Sequence, residues 1–222
     1  MINGFRSALF LGLAVISSAA SFGATAPAPV KQFPPKDECL SIEGYFDLRQ
    51  KFEDVVKRRD AKALLAMVSP SIRWSFGADS GGKAGFAKQW KLETGKASPI
   101  WAELDQLVRL GCFSQGIDAP TMPHVFGQDT GAQSIGQSAL VLGPAVNLRA
   151  QPTTNSASLR KINWEEVTTL ELSKDELWSK VKTADGKTGY IRREYLRGDL
   201  DYRISFERAD KGWMIDAFVA GD

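Results

Sequence analysis

Two catalytic signatures overlap in the stretch WSFGADSGGKAGF, residues 74–86. Asp79-Ser80-Gly81-Gly82 echoes the surroundings of a trypsin-like serine nucleophile, and Gly77 to Lys83 spells most of a phosphate-binding loop. Neither has the partners its chemistry needs. A serine nucleophile requires a histidine base oriented by a carboxylate, and the one histidine, His124, stands in a segment that reads as a linker. A phosphate loop requires a hydroxyl after its lysine to hold magnesium, and Ala84 occupies that position. The plainer use is a turn from strand into helix. Gly77, Gly81, Gly82 and Gly85 let the chain reverse, and Asp79 or Ser80 can accept from exposed backbone N–H groups. A small anion site at this turn is the remaining alternative.

Other reactive groups are similarly isolated. Cys112 follows a helix-ending Gly111 and has only His124 as a candidate base. Glu43, Glu53, Glu93 and Glu103 could supply a carboxylate pair for glycoside hydrolysis. Their spacing sets no two of them across a cleft, and helix surfaces account for them. Neither cysteine has a second cysteine or a histidine at metal-ligand spacing, which argues against structural zinc. The expectation is a non-enzymatic protein with no catalytic residues, no cofactor and no metal.

The elements that would position such groups begin after a leader. Residues 1–24 run from a basic residue, Arg6, through an apolar stretch, Ala8 to Ile16, into small residues. That order is a secretory signal peptide. The apolar run is about half the roughly 20 residues that span a bilayer, so no transmembrane segment is expected after cleavage, and the protein is read as periplasmic or secreted. In an oxidising compartment Cys39 and Cys112 can form a disulfide, two buried thiols being the alternative. Closing a loop of about 70 residues would be worth roughly 4 kcal/mol in the chain-entropy view. With 28 basic and 26 acidic residues and no basic stripe, a nucleic-acid partner is not expected.

Residues 25–36 hold four of the ten prolines and read as an extended spacer. A helix-rich α+β domain is expected over 37–127. Leu48, Phe52, Val55 and Val56 recur at helical spacing; Asp60 can cap a second helix, and Pro70 lies past its end. SIRWSFG has strand composition, with Ile72, Trp74 and Phe76 on one face. A short helix bears Phe86 and Trp90. SPIWAELDQLVRLG is a helix with Ser98 as cap, Pro99 at its first position and Gly111 at its end. Residues 128–138 are a Gly- and Gln-rich linker. From Ala139 the pattern is β, with Asp185-Gly186 and Asp210-Lys211-Gly212 as hairpin turns.

Within that region AVNLRAQPTTNSASLRKI, VTTLELSKDELWSKVKTADGKTGYI and REYL follow in an order that resembles the bacterial SH3-like domain, over residues 139–197. The Val146-Asn147-Leu148-Arg149 opening, Pro152, Trp178-Ser179-Lys180-Val181 and the Asp185 to Ile191 closing carry the resemblance. Asn163-Trp164-Glu165 departs from it where the family usually has a Gly-containing turn. The resemblance implies a small β-barrel, filled here by Val146, Leu148, Leu159, Val167, Val181 and Ile191. It also implies a binding module of exported proteins, directed at cell-wall peptide or an envelope protein. Candidate ligand contacts are Asn147, Arg149, Trp178, Tyr190 and Tyr195, although rim packing is the plainer use of the three aromatics. More weakly, FEDVVKRRDAKALLAMVSPSIRWSFG and the terminal YRISFERADKGWMIDAFVAGD resemble the ends of SnoaL-like α+β domains. Residues 198–222 are therefore expected to form a hairpin that pairs near Ile72–Phe76, with the SH3-like module inserted in the first domain; the alternative is two sequential domains with the hairpin extending the barrel. The alternative function is a small-molecule or enzymatic pocket between Trp74, Phe52 and Trp90, with Asp79, Arg73 or His124 converging on it.

Overall fold

The computed structural model describes residues 1, 30–75, 81–114, 119–130, 136–171, 177–210 and 212–221. The leader, the Phe76–Ser80 part of the glycine-rich turn and part of the linker lie outside the described residues, so the signal peptide and the roles of Asp79 and Ser80 stand as expectations. In chain order the elements are β1 (Lys36–Asp37), α1 (Tyr45–Arg58), α2 (Ala61–Met67), β2 (Val68–Arg73), α3 (Gly82–Gln89), α4 (Ile100–Arg109), β3 (Gly111–Ser114) and β4 (Pro120–Met122). Then follow β5 (Ser138–Val141), β6 (Val146–Arg149), β7 (Ser158–Ile162), β8 (Glu166–Glu171), β9 (Trp178–Thr183), β10 (Thr188–Arg192), β11 (Leu196–Gly198), β12 (Arg203–Ala209) and β13 (Gly212–Val219). They build an α+β molecule with two sheets. One has the order β1-β3-β4-β12-β13-β2 and the other β11-β5-β8-β9-β10-β6-β7.

The helices of the first unit follow their apolar faces. Tyr45, Leu48, Phe52, Val55 and Val56 of α1 are buried, and the Asp60 carboxylate accepts from Ala63 N–H at 2.9 Å to open α2. The strand expected over 71–77 starts earlier, at Val68, with no loop after α2. Pro70 can sit within it because β2 is an edge strand, where a missing N–H faces no partner. Ser98 Oγ accepts from Ile100 N–H at the start of α4. At its end Gly111 has φ +75, and a Cβ there would stand 2.1 Å from Lys36 O. Glycine is required at that point by both conformation and contact.

The terminal hairpin joins this sheet as its centre. β12 pairs with β4 through Ile204↔Met122, and β13 runs parallel to β2 through Ile215↔Val68 and Ala217↔Arg73. The chain therefore leaves the first sheet, builds the second and returns. Simple alternation would set Ile215, Ala217 and Val219 on one face. A bulge at Asp216 shifts the register instead, and Phe218 becomes fully buried against the Phe86, Trp90 and Tyr202 rings.

Cys39 and Cys112 are disulfide-bonded across a separation of 73 residues. The bond fastens the β1 edge, where Asp37 pairs with Cys112. Order begins before residue 37, since Phe33 N–H donates to Trp164 O at 2.7 Å. The Pro-rich segment thus touches the second sheet before entering the first.

In the second sheet Val146, Leu148, Val167, Val181 and Ile191 form one apolar cluster with Ile162 and Leu196. Leu159 is not among them and is 44% exposed. Alternation along β7 turns Arg160 and Ile162 inward and Leu159 outward. The end strands β11 and β7 both contribute to the cluster, through Leu196 and Ile162, so the sheet curls over it. Among the described residues no ladder joins those ends, and the module is a curled open sheet closed by side chains rather than a closed barrel. Its inner rim carries Glu165, 3% exposed, which accepts from the Arg160 guanidinium; Arg160 also reaches Asp185 at 2.9 Å.

Replacing both cysteines (Cys39→Ala with Cys112→Ala) is expected to lower the unfolding free energy by about 2–4 kcal/mol, read from urea denaturation beside the oxidised and reduced parent. An unchanged midpoint would mean that the strand pairing holds this edge without the bond. Arg160→Met should cost about 3–5 kcal/mol, because it leaves a buried carboxylate alone. Adding Glu165→Leu should recover most of that loss, and a double variant as unstable as the single one would locate the cost elsewhere.

Candidate functional site

The outward face of β6, β9 and β10 is set by the same alternation that fills the core. Inward Leu148, Val181 and Ile191 leave Asn147, Arg149, Lys180, Tyr190 and Arg192 on the other side. Cross-strand register then places Arg149 beside Tyr190, Tyr190 beside Lys180, and Arg192 beside Trp178. Directly opposed residues share a face and lie within side-chain reach. The result is a row of cations interleaved with aromatic rings.

One end of this row is a pocket of about 260 Å³, whose lining includes Asn147, Arg149, Trp178, Arg192 and Tyr195. Four of the five expected contacts therefore come together. The fifth, Tyr190, stands on the same face but does not line the pocket. Arg192 was missed by sequence reasoning, yet the signal was present: it lies two residues after Tyr190 in a strand, which puts both on one face. Tyr195 is 41% exposed and reaches the pocket from the 3-10 turn Arg193–Tyr195.

Local bonds hold this rim in place. The Arg149 guanidinium donates to Ser156 O at 2.7 Å, and Arg192 pairs with Glu194 at 3.0 Å. Asn163 Oδ1 accepts from Ala145 N–H at 2.7 Å, which fixes the Pro144–Val146 wall. Next to it Trp164 adopts φ +51, explaining why a glycine-containing turn is usual there. Its N–H donates to Gly143 O and its carbonyl accepts from Phe33 N–H, so bonds on both sides of the peptide support the strained conformation. Chemically the pocket offers guanidinium donors, one carboxamide and aromatic faces. Among the described residues its lining sets no nucleophile beside a base.

Of the residues whose convergence would mark a pocket in the first unit, Arg73 and His124 stand at opposite edges of the sheet. Phe52 and Trp90 belong to a continuous apolar core, with Trp74 packed against it. Arg73 pairs with Asp216 at 2.6 Å on β2, one edge of the sheet. His124 meets Glu38 at 3.2 Å beside β1, the opposite edge. There Lys36 and His124 hold the Glu38 carboxyl below its ordinary value. Asp79 lies outside the described residues. At the glycine-rich turn Gly81 and Gly82 have φ +68 and +51, and Trp74 Nε1–H donates to Gly82 O at 3.1 Å, as a strand-to-helix turn requires. Among the described residues the one cluster with metal-ligand atoms, Asp37, Cys39 and Cys112, has both sulfurs in the disulfide. No described helix is long and apolar enough to cross a membrane.

A search of curated proteins finds no match to the chain. A family model described as a bacterial SH3 domain matches residues 144–197, the segment that contains the pocket's walls and the curled sheet from β6 to the start of β11. The chain thus carries a bacterial SH3 domain between the strands of its α+β unit.

Proposed function

We propose that this is an exported, non-enzymatic binding or adaptor protein of the bacterial cell envelope, whose SH3 domain holds a cell-wall peptide or an envelope protein in the Trp178 pocket. The observation that carries the reading is the gathering of Trp178, Tyr195, Arg149, Arg192 and Asn147 around one concavity on a bacterial SH3 domain. Tryptophan, tyrosine and arginine are the side chains that most often dominate binding energy. They combine a large contact area with fixed donors, and an aromatic surface beside a guanidinium suits an extended peptide. Export is supported by the leader-like pattern of residues 1–24 and by the Cys39–Cys112 bond, a kind of linkage that persists outside the reducing cytosol. The α+β unit supplies the platform: β11, the domain's last strand, is followed after four residues by β12 of that unit's sheet.

The test is co-sedimentation of the purified chain with cell-wall sacculi, alongside capture from envelope extract. Retention above that of an unrelated exported protein is expected, with Trp178→Ala lowering it by about tenfold or more. The reading fails if the parent protein is retained no better than the control. It fails equally if a folded Trp178→Ala variant binds like the parent.

A further inference from the structure

We propose that the seam between the two sheets is a second binding site, one that takes a small zwitterion of amino-acid type with an apolar side chain. The site shares no lining residue with the Trp178 pocket and does not depend on it. It is a cavity of about 200 Å³, below the usual range of drug-sized pockets and suited to a ligand of amino-acid size.

Its floor is the outer face of β8, β5 and β11. Register makes one cross-strand row there, with Leu140 opposite Glu166 on one side and opposite Arg197 on the other. Adjacent strands lie about 4.8 Å apart, so the two charged residues are rooted about 10 Å apart with a leucine between them. The roof is the segment after β4, where Val125 and Phe126 face the cavity. Charge at one end, charge of opposite sign at the other and hydrocarbon in between are the features of a zwitterion's complement.

Among the described residues neither charge has an ion-pair partner in contact. Arg197 is 3% exposed. Its guanidinium donates to Gln106 Oε1 at 3.0 Å and to Tyr202 O, both neutral acceptors. Among the described residues no carboxylate comes within ion-pair distance of it. A guanidinium has five N–H donors, and burial without a carboxylate in contact is costly. Burial pulls its pKa down, while Asp201 and Glu103 oppose that shift from farther away. A ligand carboxylate could accept two parallel bonds here. The other acids at the cavity are already engaged. Asp199 Oδ2 accepts from Gly136 N–H at 2.8 Å and Ser138 Oγ–H at 3.2 Å, and Asp201 Oδ2 accepts from Gly198 N–H at 2.8 Å. The Glu166 carboxylate has no described hydrogen bond, and it stands across Leu140 from Arg197, where it would take the ammonium group.

Calorimetric titration of the full chain with three probes tests this: leucine, 4-methylpentanoate, which lacks the ammonium, and 3-methylbutylamine, which lacks the carboxylate. Leucine is expected to bind, and each single-charge probe to bind at least about tenfold more weakly, since each omits one charge-assisted contact. Glu166→Gln, at a half-buried position whose side chain has no described hydrogen bond, should weaken leucine by a similar factor and leave 4-methylpentanoate unchanged. Arg197→Gln should abolish binding of both if it folds; the Glu166→Gln comparison stands if it does not. The proposal is overturned if leucine gives no heat at millimolar concentration, if the three probes bind alike, or if Glu166→Gln binds leucine as the parent does.

Discussion

The centre of the first sheet is made by the last strands of the chain, and the other features depend on that return. β1 to β4 leave a gap that only β12 and β13 fill, between β4 on one side and β2 on the other. These last strands carry the rings that join α1 to α3: Phe206 packs on Phe52 of α1, and Phe218 on Phe86 of α3 and on Trp90 at its end. Contacts between residues so distant in sequence carry a large closure entropy. The intervening SH3 domain reduces it, because its own folding brings the outgoing and returning chain together. β5 and β11, its first and last strands, are hydrogen-bonded neighbours. An insertion with adjacent ends costs the host sheet little more than a short loop.

The two connections cross between the sheets side by side, and the seam is built from them. Residues 123–130 go out and residues 198–202 come back, while Arg197 ties the return to Gln106 on α4. The N-terminal segment adds a third tie, from Phe33 to Trp164, just before β1 and the disulfide fasten it to the first sheet. That contact uses the carbonyl of a residue held at positive φ, a conformation that costs a non-glycine residue about 1–2 kcal/mol. A tryptophan is tolerated in the turn because hydrogen bonds on both of its sides over-determine the backbone.

Local rules made much of this legible in the sequence. The apolar spacing of Leu48, Phe52, Val55 and Val56 fixed one face of α1, and Asp185-Gly186 required a tight turn whether or not anything else was known. The hairpin's attachment to the Ile72 region followed from a different argument, an amphipathic pair of strands with no surface of its own to bury. What stayed hidden was register and reach. Leu159 faces out because Val146 pairs with Ile162, and no property of the LRKI string selects that phase. The bulge at Asp216 is likewise a product of the two neighbours β13 must satisfy. At the pocket, residue types identified Asn147, Arg149, Trp178 and Tyr195, whereas Arg192 needed the strand's phase. The seam, with Arg197 on its floor, was illegible because its residues come from separate stretches brought together only by the return.

The sheet order also decides where a large ligand can approach the SH3 domain. β5, β8 and β11 spend their outer face on the seam: Leu140 is only 6% exposed although it lies outside the domain's own apolar cluster, so the other unit covers it. β9, β10 and β6 lie farther along the same sheet, and their outer face carries Trp178, Tyr190, Lys180, Arg149 and Arg192, all partly exposed. A domain anchored at one end of its sheet leaves the other end for a partner. Burial of the β5, β8 and β11 end thus leaves the β9, β10 and β6 end as the open surface, the one that the proposed binding role uses.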